Sequence, residues 1–375
     1  MDTSKLPPLQ AVDQLAHILD SPEVARLIKT LEYVRWTGRP GYPVRGMVGM
    51  CLVKSLYALP TWSRTTRLVA EHPGLQAVLG CAPSQWACYR FARMLRERDG
   101  WALGQCIEDV IAGLKAENPE MGRDIAIDAS DLPAYANGRR TYWNADDPDF
   151  APADKDASWG YRSAVSTRAA GHFFGYKIDA AVDVATGLPL AWDVRTAKHH
   201  EHEFAIPLVN TVKARGFDLQ TAIMDKAYDT EQIHNWCMER DVAPIIPLRE
   251  TKGVKAGKAE PPHCTHGEWT FAGTDYKRKA TKWRCPAGKC DVKSKWVKAE
   301  RLHPLIPRDT KRYKNLYRQR SSVERGFGSL KHEWSLLPLR VRGLARVRLH
   351  ADLTILAVLA TRLVTTRTTV LPVAA

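Results

Sequence analysis

Three acidic side chains stand where chemistry could use them. Asp128 closes the run Asp124-Ile-Ala-Ile-Asp128, Asp225 directly follows the apolar run Ala222-Ile-Met224, and Glu324 lies in a helical stretch among cations. In open α/β sheets ligands gather at the carboxyl ends of strands, so aspartates at two such ends can face one another although far apart in sequence. Asp and Glu oxygens are hard ligands suited to Mg²⁺, which keeps some of its waters and takes its remaining ligands from a phosphate. If 311–334 is one helix, Tyr317, Arg320, Glu324 and Lys331 share an arc of about 60°. Leu316, Val323, Phe327, Leu330 and Trp334 form an apolar stripe beside it that would pin the helix to a sheet. A salt-bridged surface helix would show the same Arg320–Glu324 i,i+4 pair, and the pattern alone leaves both readings open.

At every spacing, Tyr317-x2-Arg320-x3-Glu324-x6-Lys331 resembles the Tyr-Arg-Glu-Lys signature of the DDE transposases of bacterial insertion sequences. Asp128 in Ile-Asp-Ala-Ser and Asp225 in Met-Asp-Lys-Ala-Tyr-Asp resemble that family's first and second aspartates. Gly160-Tyr161-Arg162 and Gly175-Tyr176-Lys177 fit the same family, whereas Ala227 stands where such proteins often carry Gly. The resemblance implies an RNase H-like catalytic core that excises a DNA element and joins it elsewhere. It implies Asp128, Asp225 and Glu324 as ligands for two Mg²⁺ ions, with Mn²⁺ as a substitute, a pair that can activate water on one side of a phosphodiester and stabilise the leaving oxygen on the other. Tyr317, Arg320 and Lys331 would hold phosphates of the element's terminal inverted repeats, and cutting two ends in concert implies a homodimer on double-stranded DNA.

Other groups compete for attention. Asp131 and Asp229 lie close to the two aspartates; Asp225 is favoured over Asp229 because it immediately follows the strand, and Asp131, before Pro133, reads as a turn cap. His199-His-Glu-His-Glu203 matches no standard zinc spacing and reads as the start of a helix, capped and paired with its dipole. Cys264, His266, Cys285 and Cys290 suit a tetrahedral zinc site that would staple a small β-rich segment; ordinary buried thiols are the alternative. Trp269, Trp283 and Trp296 alternate with lysines, as in surfaces that stack unpaired bases, and of these Trp296 is taken as a DNA contact. Ser84 reads as the N-cap of a helix displaying Gln85, Arg90 and Arg93, a candidate for a DNA groove. Gly326 and Gly328 are costly inside a helix, and Gly328, beside the arc, would let a DNA strand come close.

These side chains need a frame. Periodic apolar positions in Val12–Ile18, Val24–Val34, Val44–Tyr57 and Cys88–Leu95 make 1–120 helical, the expected DNA-end-binding domain. The middle changes period: strands at 124–128, 174–184, 189–196, 221–224 and 242–247, with helices at 203–215 and 230–240. The expected fold is an α/β RNase H-like mixed-sheet core over 121–250 and 310–365, interrupted by a basic β-rich insertion at 251–309 and followed by a tail at 366–375.

Charge agrees with a polyanionic partner. The 375 residues carry a formal +14, yet 251–350 alone hold 25 basic and 8 acidic side chains, or +17, leaving −3 elsewhere. A composition 45% hydrophobic and 26% charged excludes a disordered or collagen-like chain. Leu353–Ala360, the longest apolar run near the C-terminus, falls short of the ~18–20 residues of a membrane span. Met-Asp-Thr-Ser-Lys-Leu-Pro-Pro carries no apolar signal, so the expectation is a bacterial cytoplasmic protein at the nucleoid with reduced cysteines. The rivals are an RNase H-like nuclease that cuts without joining, a non-catalytic transposase-derived DNA-binding protein, and an RNA-binding protein, disfavoured because no RRM-like aromatic motif is present.

Overall fold

The computed structural model describes residues 11–34, 41–147, 149–162, 169–249 and 262–370. The N-terminal sequence 1–10 and residues 251–261 of the expected insertion lie outside these. The helical region forms seven helices: α1 (Ala11–Asp20), α2 (Pro22–Tyr33), α3 (Val44–Leu56), α4 (Trp62–Glu71), α5 (Pro73–Leu79), α6 (Gln85–Glu97) and α7 (Gly100–Glu117). Local chemistry sets their ends. Thr61 and Ser84 accept backbone N–H groups at the starts of α4 and α6, proline opens α2 and α5, and Gly80, at φ 68°, ends α5 in the left-handed conformation. α3 is buried over most of its circumference and forms the centre of the bundle.

The sheet comprises β1 (Asp124–Pro133), β2 (Ser158–Arg162), β3 (Gly171–Asp183), β4 (Pro189–Thr196), β5 (Thr221–Ile223) and β6 (Ala243–Ile245). β1 is antiparallel to β3 and parallel to β5, which is parallel to β6. One edge of β3 is shared end to end: residues 171–175 pair with β2 and 176–182 with β4. Four antiparallel strands, with β2 and β4 end to end along one edge of β3, are continued by two parallel ones, and with α9 (His202–Ala214) and α10 (Glu231–Glu239) as the intervening helices they form the mixed RNase H-like sheet expected.

Two features of this sheet region correct the sequence reading. β1 does not stop at Asp128 but continues to Pro133, because Ser130 and Asp131 pair with Ile178 and Lys177 of β3; the adjacent polar residues Ser130 and Asp131, followed by Pro133, hide this continuation in the sequence. β2 and the short α8 (Gly138–Trp143) are additional elements.

Beyond β6 come the hairpin β7 (His263–Cys264) and β8 (Gly267–Glu268), then a three-stranded antiparallel sheet of β9 (Thr270–Asp275), β10 (Ala280–Arg284) and β11 (Ser294–Lys298). The expected single helix over 311–334 is instead α11 (Lys311–Arg318) and α12 (Ser321–His332). Tightened i→i−3 bonds, Arg320 N to Tyr317 O and Val323 N to Arg320 O, separate them, so a constant 100° per residue does not carry across Arg320. The final helix, α13 (Leu344–Val370), continues through 366–370, the start of the supposed tail. It packs on α1, α3, α6, α7 and β4, and one hydrophobic core runs from Leu15 in α1 to Val364. Arg367 of α13 pairs with Glu23 and Glu117 of the helical region. Among the described residues, no helix is long and apolar enough to cross a membrane.

Candidate active site

β1 and β5 run parallel with Ala126 beside Ile223, and extending that register by two positions sets Asp128 next to Asp225. Asp225 turns the chain: its Oδ1 accepts the Ala227 N–H at 2.7 Å and starts a short 3₁₀ turn, Lys226–Tyr228. Asp128 Oδ1 accepts the Ala129 N–H at 2.9 Å, and its Oδ2 accepts from Arg320 Nη1 at 2.9 Å. The other end of the same guanidinium donates to Glu324 Oε1. Arg320, at the junction of α11 and α12, thus bridges Asp128 of β1 and Glu324 of α12.

The electrostatics follow from this crowding. Burial pushes the Asp128 carboxyl up to about 7, with Asp225 and Glu201 adding to the shift and Arg320 opposing it. Burial works against the charge on Arg320, but Asp128, Glu324, Tyr317 and Asp225 around it hold its pKa above the ordinary value. Tyr317 stacks nearly parallel on Tyr313, ring centroids 6.1 Å apart, and burial raises its hydroxyl pKa, against a pull from Arg320. Glu324 is the open side of the site: 55% of its side chain is exposed, against 19% for Asp128.

Lys331, one helix face further on, donates to the Asp131 carbonyl at 2.7 Å and lies 3.7 Å from its carboxylate, which also meets Arg162 at 3.4 Å. Asp131 is therefore a strand residue that anchors α12 and Arg162, not a turn cap. Asp229 is spent elsewhere. Its fully buried carboxylate is held by His234 at 3.0 Å, Arg301 at 2.7 Å, the Arg249 N–H at 2.8 Å and Arg308 at 3.8 Å.

Sequence reasoning named Glu201 and Lys177 in separate motifs but missed that they pair beside Asp128. Glu201 occupies the N-cap position of α9 but makes no capping bond; its carboxylate takes Lys177 Nζ at 2.7 Å and contributes to the field on Asp128. Glu203 does sit in the first turn, pairing with His199 at 3.5 Å. A usable signal was Lys177 itself, a cation in a strand otherwise buried along its length, which needs a carboxylate partner.

The two helix glycines separate in role. A Cβ on Gly326 would lie 2.9 Å from the Gly187 carbonyl in the β3–β4 turn, so only glycine lets α12 pack this close; a Cβ on Gly328 would meet nothing within 4 Å. Gly326→Ala is expected to destabilise the fold by about 1 kcal/mol net of its helix propensity. Gly328→Ala is expected to stabilise it by about 1 kcal/mol. Paired urea denaturation curves of the two variants check this, and equal shifts would contradict it.

The remaining candidates occupy two other surfaces. Arg90 and Arg93 are exposed on α6; Arg93 lies 3.9 Å from Glu97. Together with Trp86, Tyr89, Tyr135, Arg340, Arg342 and Arg346 they line a groove of about 530 Å³ that no carboxylate lines among the described residues. In the insertion, Trp269 and Trp283 are core residues, whereas Trp296 is 41% exposed with Arg278 and Lys282 beside its ring.

Among the described residues, the one group whose metal-ligating atoms all fall within 4.8 Å of one another is Cys264, His266, Cys285 and Cys290. The three carboxylates stand wider, with the Arg320 guanidinium between two of them. They still fit a divalent cation: the donors are hard oxygens, and a cationic group already bridges Asp128 and Glu324.

Residues 119–360 match the family model of the transposase DDE domain. No curated protein matches the chain. Among solved structures, the chain is similar to a piggyBac transposase in a cryo-EM structure of its synaptic complex with hairpin DNA. The likeness has 9% identity and a TM-score of 0.40, covering 98% of this chain and 83% of that one.

Proposed function

Because the chain belongs to the DDE transposase family, we propose that it binds the ends of its own mobile element, cleaves DNA strands there and joins the freed 3′ ends to a target. The observation that carries this reading is the convergence of Asp128, Asp225 and Glu324, from three distant parts of the sequence, around Arg320. Asp128, Asp225 and Glu324 would hold Mg²⁺, two ions with Mn²⁺ as a substitute, and the metal would supply Lewis-acid activation of a water or 3′-hydroxyl and stabilise the leaving oxygen. Asp225, fixed by its bond to the Ala227 N–H, and Asp128, fixed by the Ala129 N–H, contribute donors that need little reorganisation. Arg320, Tyr317 and Lys331 hold phosphates of the element's end, Arg320 through its two-pronged guanidinium.

The helical region 1–120 takes the role of end-binding domain, with Arg90 and Arg93 on the groove that reaches Arg340 and Arg342. The core is 121–250 with 310–365. The insertion, 251–309, offers Trp296 flanked by cations as a stacking surface. The partners are the terminal inverted repeats and target DNA, gripped by a homodimer in a bacterial cytoplasm, at the nucleoid.

The test is incubation of the protein with DNA bearing the element's own ends and a supercoiled target, in Mg²⁺ and in Ca²⁺. Excision and joined product in Mg²⁺, with binding alone in Ca²⁺, are expected. Cleavage without joining would make the protein a nuclease, and binding without breakage would make it a DNA-binding relic; either overturns the proposal.

A further inference from the structure

We propose that Cys264, His266, Cys285 and Cys290 bind one structural zinc ion, and that this ion is the principal core of the insertion. The geometry is that of a tetrahedral site. Cys264 Sγ lies 3.8 Å from Cys285 Sγ and 4.0 Å from His266 Nδ1, and Cys290 Sγ lies 3.4 Å from His266 Nδ1. Zn–S bonds of about 2.3 Å and Zn–N bonds of about 2.0 Å at tetrahedral angles require S–S edges of about 3.8 Å and S–N edges of about 3.5 Å. All eight cysteines of the chain are free thiols, so no disulfide competes for these sulfurs.

The four ligands come from two tight turns that face one another. Cys264 and His266 belong to the β7–β8 hairpin, where Gly267, at φ 112°, allows the reversal that brings the imidazole back beside the thiol. Cys285 and Cys290 flank the turn after β10, which Gly288, at φ 64°, closes with an N–H bond to the Cys285 carbonyl at 3.2 Å. Two turns, each offering two ligands, are what a structural zinc site needs from a chain of short strands.

The far end of the insertion is anchored to the core through Ala299, Leu305 and Arg301, but the strands β7–β11 have little apolar core of their own. Their buried cluster consists of Trp269, Trp283 and Cys285, with Cys264, Cys290 and Val297 packed partly against them. Three of these six side chains are the proposed ligands. A piece this small falls below the size at which an apolar core suffices, and a bound metal is one of the few available substitutes. Three thiolates and a neutral imidazole around Zn²⁺ also leave one negative charge among the lysines and arginines of β9–β11.

The test is the metal content of the full-length protein, expressed with zinc supplied and purified under reducing conditions. About one zinc per chain is expected, falling at least about tenfold in Cys285→Ser/Cys290→Ser. Since that variant can fail to fold, metal-stripped wild type is also titrated with Co²⁺. Thiolate-to-cobalt charge-transfer bands and intense tetrahedral d–d bands are expected, displaced by equimolar Zn²⁺; His266→Cys should keep the metal and shift the bands. Wild type holding less than about a tenth of an equivalent of zinc, unchanged zinc in the double variant, or weak octahedral cobalt bands would each overturn the proposal.

Discussion

Asp128→Asn is expected to reduce strand cleavage in Mg²⁺ by at least about 10³-fold and, in the metal-free protein, to raise stability at pH 8. The first effect follows from removing a charged donor from the proposed cation site, a larger change than the ten- to hundredfold typical of residues that only support a ligand. The second follows from the raised pKa. Burial, foremost, and the neighbouring Asp225 and Glu201 push the Asp128 carboxyl up to about 7 despite Arg320, so the folded state favours the protonated form more than the unfolded chain does. The penalty is absent below about pH 4, grows as pH rises, and is fully present above about pH 7. At about 1.4 kcal/mol per pKa unit, less what water and relaxation recover, Asn is expected to gain on the order of 2 kcal/mol at pH 8 and nearly nothing at pH 4. Thermal melts of both proteins in chelator across this range check the sign. A variant less stable than wild type at pH 8, or a difference independent of pH, would contradict the electrostatics of the site.

Asp229→Ala is expected to cost about 3–5 kcal/mol, because it leaves Arg301, Arg308 and His234 facing a buried gap where a carboxylate balanced them. Asp229 ties together three distant pieces: the turn that follows Asp225, Arg249 just before the insertion and Arg301 near its far end. Its loss should therefore loosen the insertion and displace Asp225 together. Burial alone would raise the Asp229 pKa, but hydrogen bonds from His234, Arg301 and the Arg249 backbone bring it down to about 2. A depressed native pKa contributes stability above about pH 4 that disappears as pH falls toward 2, so wild type should weaken over that interval and Asp229→Asn should not. Denaturant titrations at pH 7 and pH 3 check both statements; a cost below about 1 kcal/mol at pH 7 would mean that the cluster is not balanced by this carboxylate.

What the sequence made legible was what carries a period or a fixed spacing. β3 and β4 alternate, with Thr186-Gly187 between them, and the hairpin lies there. The stripe Val323, Phe327 and Leu330 is buried against the core, which is why Glu324 on the same helix points elsewhere. Residues whose position depends on a distant partner were not legible. Asp131 looked like a turn residue because its strand partner, Lys177, and its helix partner, Lys331, are far away in sequence. Arg320 was legible as a partner of Glu324 on a continuous helix, but not its reach to Asp128 or the tightening of the backbone at the same point. Glu201 looked like a cap, because the lysine that draws it inward stands in a strand 24 residues away and only its burial there signals a carboxylate partner. The cysteines gave their type but not their geometry, which only the two glycine turns supply.

The central claim is that Asp128, Asp225 and Glu324 hold the cation that drives strand cleavage. It is tested most directly by letting Fe²⁺ take that cation's place in zinc-loaded protein, adding ascorbate, and mapping by mass spectrometry where the radicals formed at the metal cut the chain. Cuts clustered near residues 128, 225 and 324, suppressed by excess Mg²⁺ and lost in Glu324→Gln, are predicted. Cuts that avoid these three segments, or that Mg²⁺ does not suppress, would contradict the account.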